Sequence, residues 1–178
     1  KSSIQGNIIK ISNPIPKNTK RNKYFYLSDG LIKLKFLKFK NKVLTGVALQ
    51  NFVLKPKKGL NIPFSEYDNT LQEKLYFSNL KKISKLNIDC VGLSFIQNIS
   101  VLSKIRKKYP NLILVSKIEN FLGYKNRKEI IKYSDTIMID RGDLSAEVGV
   151  NQLFKFSENI IEDAKKVGTP VIVATENL

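Results

Sequence analysis

The chain has no histidine and no tryptophan, and only one cysteine and one methionine. Without histidine, Ser-His and Cys-His catalysis are excluded within these residues, as is a histidine-ligated zinc site. Cys90 cannot form an internal disulfide. It lies in the apolar run Ile88 to Ile96, which reads as a buried thiol in a reducing, cytoplasmic setting. No apolar stretch approaches the ~20 residues of a membrane-spanning helix, and the first residues do not resemble a signal peptide. No membrane partner is expected. The sequence starts at Lys1 and stops at Leu178 just after an apolar run, so both ends read as cuts.

Acidic residues are also scarce. Asp and Glu total 15 against 31 Lys and Arg, a formal charge of +16. Such an excess can serve nucleic acid, an acidic surface or phosphorylated ligands. Here the lysines fall in every segment, and no arginine- or aromatic-interleaved block stands out. They read as solvated faces, and no specific nucleic-acid partner is expected.

What is present divides near Pro56 to Pro63. Residues 1–56 read as β: a strand Ile4 to Ile11, a polar loop Ser12 to Lys23, then strands Tyr24 to Leu27 and Leu31 to Phe39 around Ser28-Asp29-Gly30. The second of these mostly alternates apolar residues with lysine, giving one dry and one wet face. Asn41-Lys42 is a tight turn into Val43 to Leu54. Short strands with polar turns suggest a small β-barrel or sandwich.

Residues 57–178 alternate helix and strand. Thr70 is a candidate cap for a helix carrying Leu71, Leu75, Leu80, Ile83 and Leu86. Asn98 is a candidate cap for one carrying Leu102 and Ile105. A helix around Lys125 to Tyr133 and another from Leu153 to Val167, stopped by Gly168, follow. The strands Ile88 to Phe95, Leu112 to Ile118, Thr136 to Ile139 and Pro170 to Ala174 are apolar throughout. That pattern is α/β with a parallel sheet covered by helices. About four strand-helix units fit half of an eight-stranded barrel or a doubly wound sheet, and periodicity does not choose between them.

Functional residues of such sheets gather at the C-terminal strand ends. Lys117 and Glu119, two apart on one strand, face the same way. Asp143 follows a glycine and can open a helical turn whose N–H groups face an anion. Two carboxylates on neighbouring strands suit a hard divalent ion, and a lysine beside it suits a phosphoryl group in transfer. On pattern alone, a solvated ion pair and an ordinary helix cap are the favoured readings of the same residues.

The strings Ser116-Lys117-Ile118-Glu119-Asn120, then Met138-Ile139-Asp140-Arg141-Gly142-Asp143-Leu144, then Ala174-Thr175-Glu176-Asn177-Leu178 resemble, in order and spacing, a series found in pyruvate kinases. Val91 to Phe95, Lys58 to Pro63 and Asp29 to Ile32 extend the resemblance, which is weak before Tyr24 and strong from Lys57 onward. It implies part of a (β/α)8 TIM barrel over 57–178, with a shortened β-barrel lid domain inserted over 1–56. It implies phosphoryl transfer between phosphoenolpyruvate and ADP, giving pyruvate and ATP. By the same resemblance Lys117 and Thr175 are catalytic, with Thr175 near the enolate carbon. Glu119 and Asp143 hold Mg2+, the N–H groups of Gly142 and Asp143 take the substrate carboxylate, and Arg141 orients the site through an ion pair. K+ is implied too, with ligands outside this chain, as is a homo-oligomer.

The departures are specific. Asp140 replaces an alanine and adds a third carboxylate. Ser145 replaces a glycine, Glu176 a glutamine, Asn177 a methionine, and Ser28 the first aspartate of the lid turn. They leave room for an altered reaction on the same substrates, by a lyase or another transferase, or for a non-catalytic relative.

Overall fold

The computed structural model describes residues 8–9, 11, 15–16, 19, 23–28, 30–56, 58–65, 68–83 and 85–175. Most of the expected strand Ile4 to Ile11 and of the loop after it lies outside these residues. So do Asp29, Glu176 and Asn177. The described Ile8, Ile9 and Ile11 belong to no strand.

Strands β1 (Tyr24–Leu27), β2 (Ile32–Lys40), β3 (Val43–Ala48) and β4 (Leu60–Asn61) form an antiparallel sheet in the order β3-β2-β1-β4. Among the described residues it is open at both edges, where the strand count suggested a barrel or sandwich. Alternation does its work on β2: Ile32 and Leu34 are buried with Phe25, Leu27 and Ile62, while the lysines face outward. The β2–β3 turn has positive φ at both Asn41 and Lys42, the conformation whose twist matches a two-residue hairpin. β3 ends at Ala48 rather than Leu54, so the apolar run after it is not strand.

The second sheet is parallel, in the order β5 (Cys90–Leu93), β6 (Ile113–Ile118), β7 (Thr136–Asp140), β8 (Val171–Ala174). The fold is therefore α/β with a parallel sheet. Helices α1 (Thr70–Ile83), α2 (Ile99–Lys108), α3 (Phe121–Lys125), α4 (Arg127–Tyr133), α5 (Arg141–Val148) and α6 (Val150–Val167) alternate with these strands. Their apolar faces close one core around Leu102, Ile105, Leu114, Ile118, Ile130, Ile137, Ile139, Leu144 and Ile160.

Three local expectations change. Thr70 is the first residue of α1 rather than the residue before it, and its N–H is taken by the Asp68 carboxylate. The single helix expected near Lys125 is two, broken at Asn126. Cys90 is exposed, because β5 is the edge strand of the parallel sheet and Cys90 is its first residue. Gly168 stops α6 in the left-handed conformation, as its position suggested.

Candidate functional site

The C-terminal ends of β6, β7 and β8 lie side by side, because Ile118 pairs with Ile139 and Asp140 with Ala174. That register gathers Lys117, Glu119, Asp140 and Thr175. Lys117 Nζ is 2.5 Å from Glu119 Oε1 and 3.2 Å from Asp140 Oδ2. Thr175 Oγ1 lies 3.0 Å from Asp140 Oδ1 and accepts the Gly142 N–H at 3.1 Å. Thr175 holds this place at φ 59°, an unusual conformation for a β-branched residue. Asp143 is in the first turn of α5, which starts directly after β7.

Glu119 is 1% exposed. Burial pushes its carboxyl above the usual range, against the opposing pull of Lys117 and of the Phe95 N–H. That N–H donates to Glu119 Oε2 at 2.5 Å, so the end of β5 joins the site through its backbone. Lys117 is half-buried. Loss of hydration alone would lower its pKa, but Glu119 and Asp140 outweigh this and hold the ammonium above the usual lysine value. Tyr76 of α1 donates its hydroxyl to the Ser94 carbonyl, fixing the turn that follows β5.

Glu119, Asp140 and Asp143 each offer one carboxylate oxygen, all within 4.8 Å of one another. An oxygen-only donor set of this charge suits a hard cation such as Mg2+, and by that chemistry these residues fit one.

A model described as pyruvate kinase, barrel domain, matches residues 2–178. The chain belongs to the pyruvate kinase family. The pyruvate kinase of Trypanoplasma borreli is 31% identical over 156 residues, which are 87% of this chain and 31% of that protein. That of Agaricus bisporus is 32% identical over 164 residues, 90% of this chain and 31% of the relative. That of Thermococcus litoralis is 30% identical over 168 residues, 92% and 35% respectively. The chain thus spans about a third of the length of these pyruvate kinases.

Two residues at the mouth make contacts within the chain. Arg141 donates from Nε to the Thr175 carbonyl at 3.1 Å. Among the described residues no carboxylate pairs with it, so it braces the β7–β8 mouth through backbone. The Gly142 N–H donates to the Thr175 hydroxyl oxygen. Ser145 uses the hydroxyl that a glycine would lack to bond the Gly142 carbonyl at 2.8 Å, tightening the first turn of α5.

Sequence reasoning passed over Glu147, one helical turn beyond Asp143. It is 2% exposed and accepts the N–H of Phe64, with the Phe121 N–H nearby. Desolvation pushes its carboxyl to about 8. The signal was available: a single acid between Ala146 and Val148, spaced to share a face of α5 with Asp143.

Proposed function

We propose that this chain is the lid and the middle of the catalytic barrel of a pyruvate kinase, with residues 1–56 as the lid and 57–178 as part of the (β/α)8 barrel. The intact protein transfers a phosphoryl group between phosphoenolpyruvate and ADP, giving pyruvate and ATP. The observation that carries this is the meeting of Lys117, Glu119, Asp143 and Thr175 at adjacent parallel-strand ends in a member of this family.

Each residue then has a task. Glu119 and Asp143 hold Mg2+, which when bound supplies concentrated positive charge for substrate and phosphate oxygens. Lys117 stabilises charge on the moving phosphoryl group and on the enolate oxygen. The N–H groups of Gly142 and Asp143 take the substrate carboxylate, with the Thr175 hydroxyl giving up its bond to Gly142. Thr175 then lies beside the enolate carbon and helps the proton transfer. Arg141 holds the Thr175 backbone in place. The same reading extends to K+ bound by parts of the protein outside this chain, a homo-oligomer and a cytoplasmic setting. Among the described residues no helix is long and apolar enough to cross a membrane.

Replacing the lysine tests this reading. In the intact protein, Lys117→Met lowers turnover by on the order of a hundredfold to a thousandfold and changes KM for phosphoenolpyruvate much less. A charge needed in the transition state appears in turnover. A second reading rests on Asp140, which pairs with both Lys117 and Thr175. Turnover that survives Lys117→Met but is abolished by Asp140→Ala establishes an altered reaction on related substrates.

A further inference from the structure

A carboxylate buried beside no cation is costly unless hydrogen bonds replace its water. Among the described residues no Lys or Arg pairs with Glu147, although it is almost fully enclosed. Its oxygens are met by backbone instead. Phe64 donates to Oε2 at 3.2 Å, and the Phe121 N–H lies near enough to favour the charged form. These N–H groups come from two separate segments. Phe64 lies just past β4, where the chain leaves the antiparallel sheet, and sits at φ 56°. Phe121 opens α3, two residues after Glu119. The two phenylalanine rings meet edge to face with centroids 4.8 Å apart. Next to Glu147, Ala146 packs under the Gly30 turn. A Cβ built on Gly30 would sit 3.3 Å from that of Ala146, and φ at Gly30 is +90°. One turn of α5 therefore meets the antiparallel sheet, the segment leaving it and the start of α3.

We propose that Glu147 is a positioning residue for the divalent-ion site, tying α5, which carries Asp143, to the segment that follows Glu119 and to the segment leaving the antiparallel sheet. This rests on the assignment of Glu119 and Asp143 as metal ligands. Glu147 does not touch the ion. It sets the separation of the two elements that do, and for comparison groups bonded directly to metal ligands typically change metal affinity by about 10- to 100-fold.

Titration of the intact protein with Mn2+, followed by the loss of the free-ion electron paramagnetic resonance signal, tests this on three variants. Asp143→Asn must weaken Mn2+ binding; if affinity is unchanged, the ligand assignment itself is wrong and the proposal falls with it. With Asp143→Asn weakened, Glu147→Leu is expected to reduce affinity about tenfold or more. Glu147→Gln keeps an acceptor oxygen and the same volume, so it stays within about threefold of the unaltered protein. Unchanged affinity in Glu147→Leu overturns the positioning role, as does an equal loss in both Glu147 variants, which marks a need for the charge rather than for the hydrogen bonds. The unaltered protein gives a second readout that decides even if Glu147→Leu does not fold. Coupling between sites is reciprocal, so saturating Mn2+ slows hydrogen exchange at the Phe64 and Phe121 amides by a matching factor, read by mass spectrometry. Identical exchange with and without Mn2+ overturns the proposal.

Discussion

At the scale of single residues, burial competes with polar partners at two carboxyl groups, with Lys117 at Glu119 and with backbone N–H groups at Glu147, and the competition has a measurable outcome at Glu147. Its folded-state pKa of about 8 lies above the ordinary 4.5. A raised pKa means that the folded state binds the proton more tightly than the unfolded one. The associated stability is complete below about pH 4.5 and is lost as pH climbs through about 8. Each pH unit inside that window is worth about 1.4 kcal/mol at most. Urea denaturation of the intact protein at pH 5.5 and 8.5 is expected to show a loss for the unaltered chain that Glu147→Gln, which cannot titrate, does not share. Parallel changes in both proteins would show that Glu147 titrates as a solvated acid. Apolar runs before the strand ends drew attention to Lys117, Glu119 and Asp143, and only the resemblance to pyruvate kinases gave them roles. The sequence hid Glu147 because its partners are backbone N–H groups, which carry no residue code.

At the scale of elements, the parallel-sheet half was easier to read than the antiparallel half. Strands β5 to β8 are mostly apolar and feed one core, although Cys90, Ile113, Ile172 and Val173 stay exposed, and α6 has a strong apolar stripe ended by Gly168. β3 was overextended because Leu49, Phe52, Val53 and Leu54 continue its apolar character after the ladder stops. Leu49 and Val53 are exposed, which pattern alone does not reveal. The break between α3 and α4 also left no mark in the periodicity. Close packing accompanies it: a Cβ added at Gly123 would sit 2.5 Å from the Ile96 carbonyl oxygen, so α3 presses directly on the segment after β5, and Asn126 Nδ2 donates to the Gln97 carbonyl at 2.8 Å. Capping was legible where the side chain does the work. Asn98 Oδ1 accepts the Ser100 N–H at 3.0 Å and its hydroxyl at 2.7 Å. Asn98→Ala is expected to cost about 0.5–2 kcal/mol, seen as a lower denaturation midpoint with an unchanged slope. No change would mean that solvent satisfies that helix end equally well.

For the molecule as a whole, charge and apolar exposure set behaviour in solution. The +16 charge is dispersed along the sequence, with cations on β2 and on α1, α2 and α4 among the described elements. It predicts weak nucleic-acid binding without sequence preference, weakening steeply as salt rises. Fluorescence anisotropy with two unrelated oligonucleotides at two salt concentrations checks this. Tight binding to one of them at physiological salt would show a built recognition surface. Val150 and Phe154 on α6 and Ile172 and Val173 on β8 are exposed. A TIM barrel would continue beyond β5 and β8, and that expectation came from the resemblance rather than from periodicity, which stops at a parallel sheet of four strands.

The parallel sheet has one more property. Its spatial order, β5-β6-β7-β8, is the order of the chain itself. Each strand docks on the one made before it, with a helical crossover between them, and no strand waits for a partner still to be synthesised. On a ribosome the sheet can therefore grow from one side as the polypeptide emerges. The mouth where Lys117, Asp140 and Thr175 meet is completed only when β8 arrives. A nascent chain stalled before Pro170 holds Lys117 and Asp140 together but lacks the hydroxyl and the carbonyl that Thr175 brings to Asp140 and Arg141.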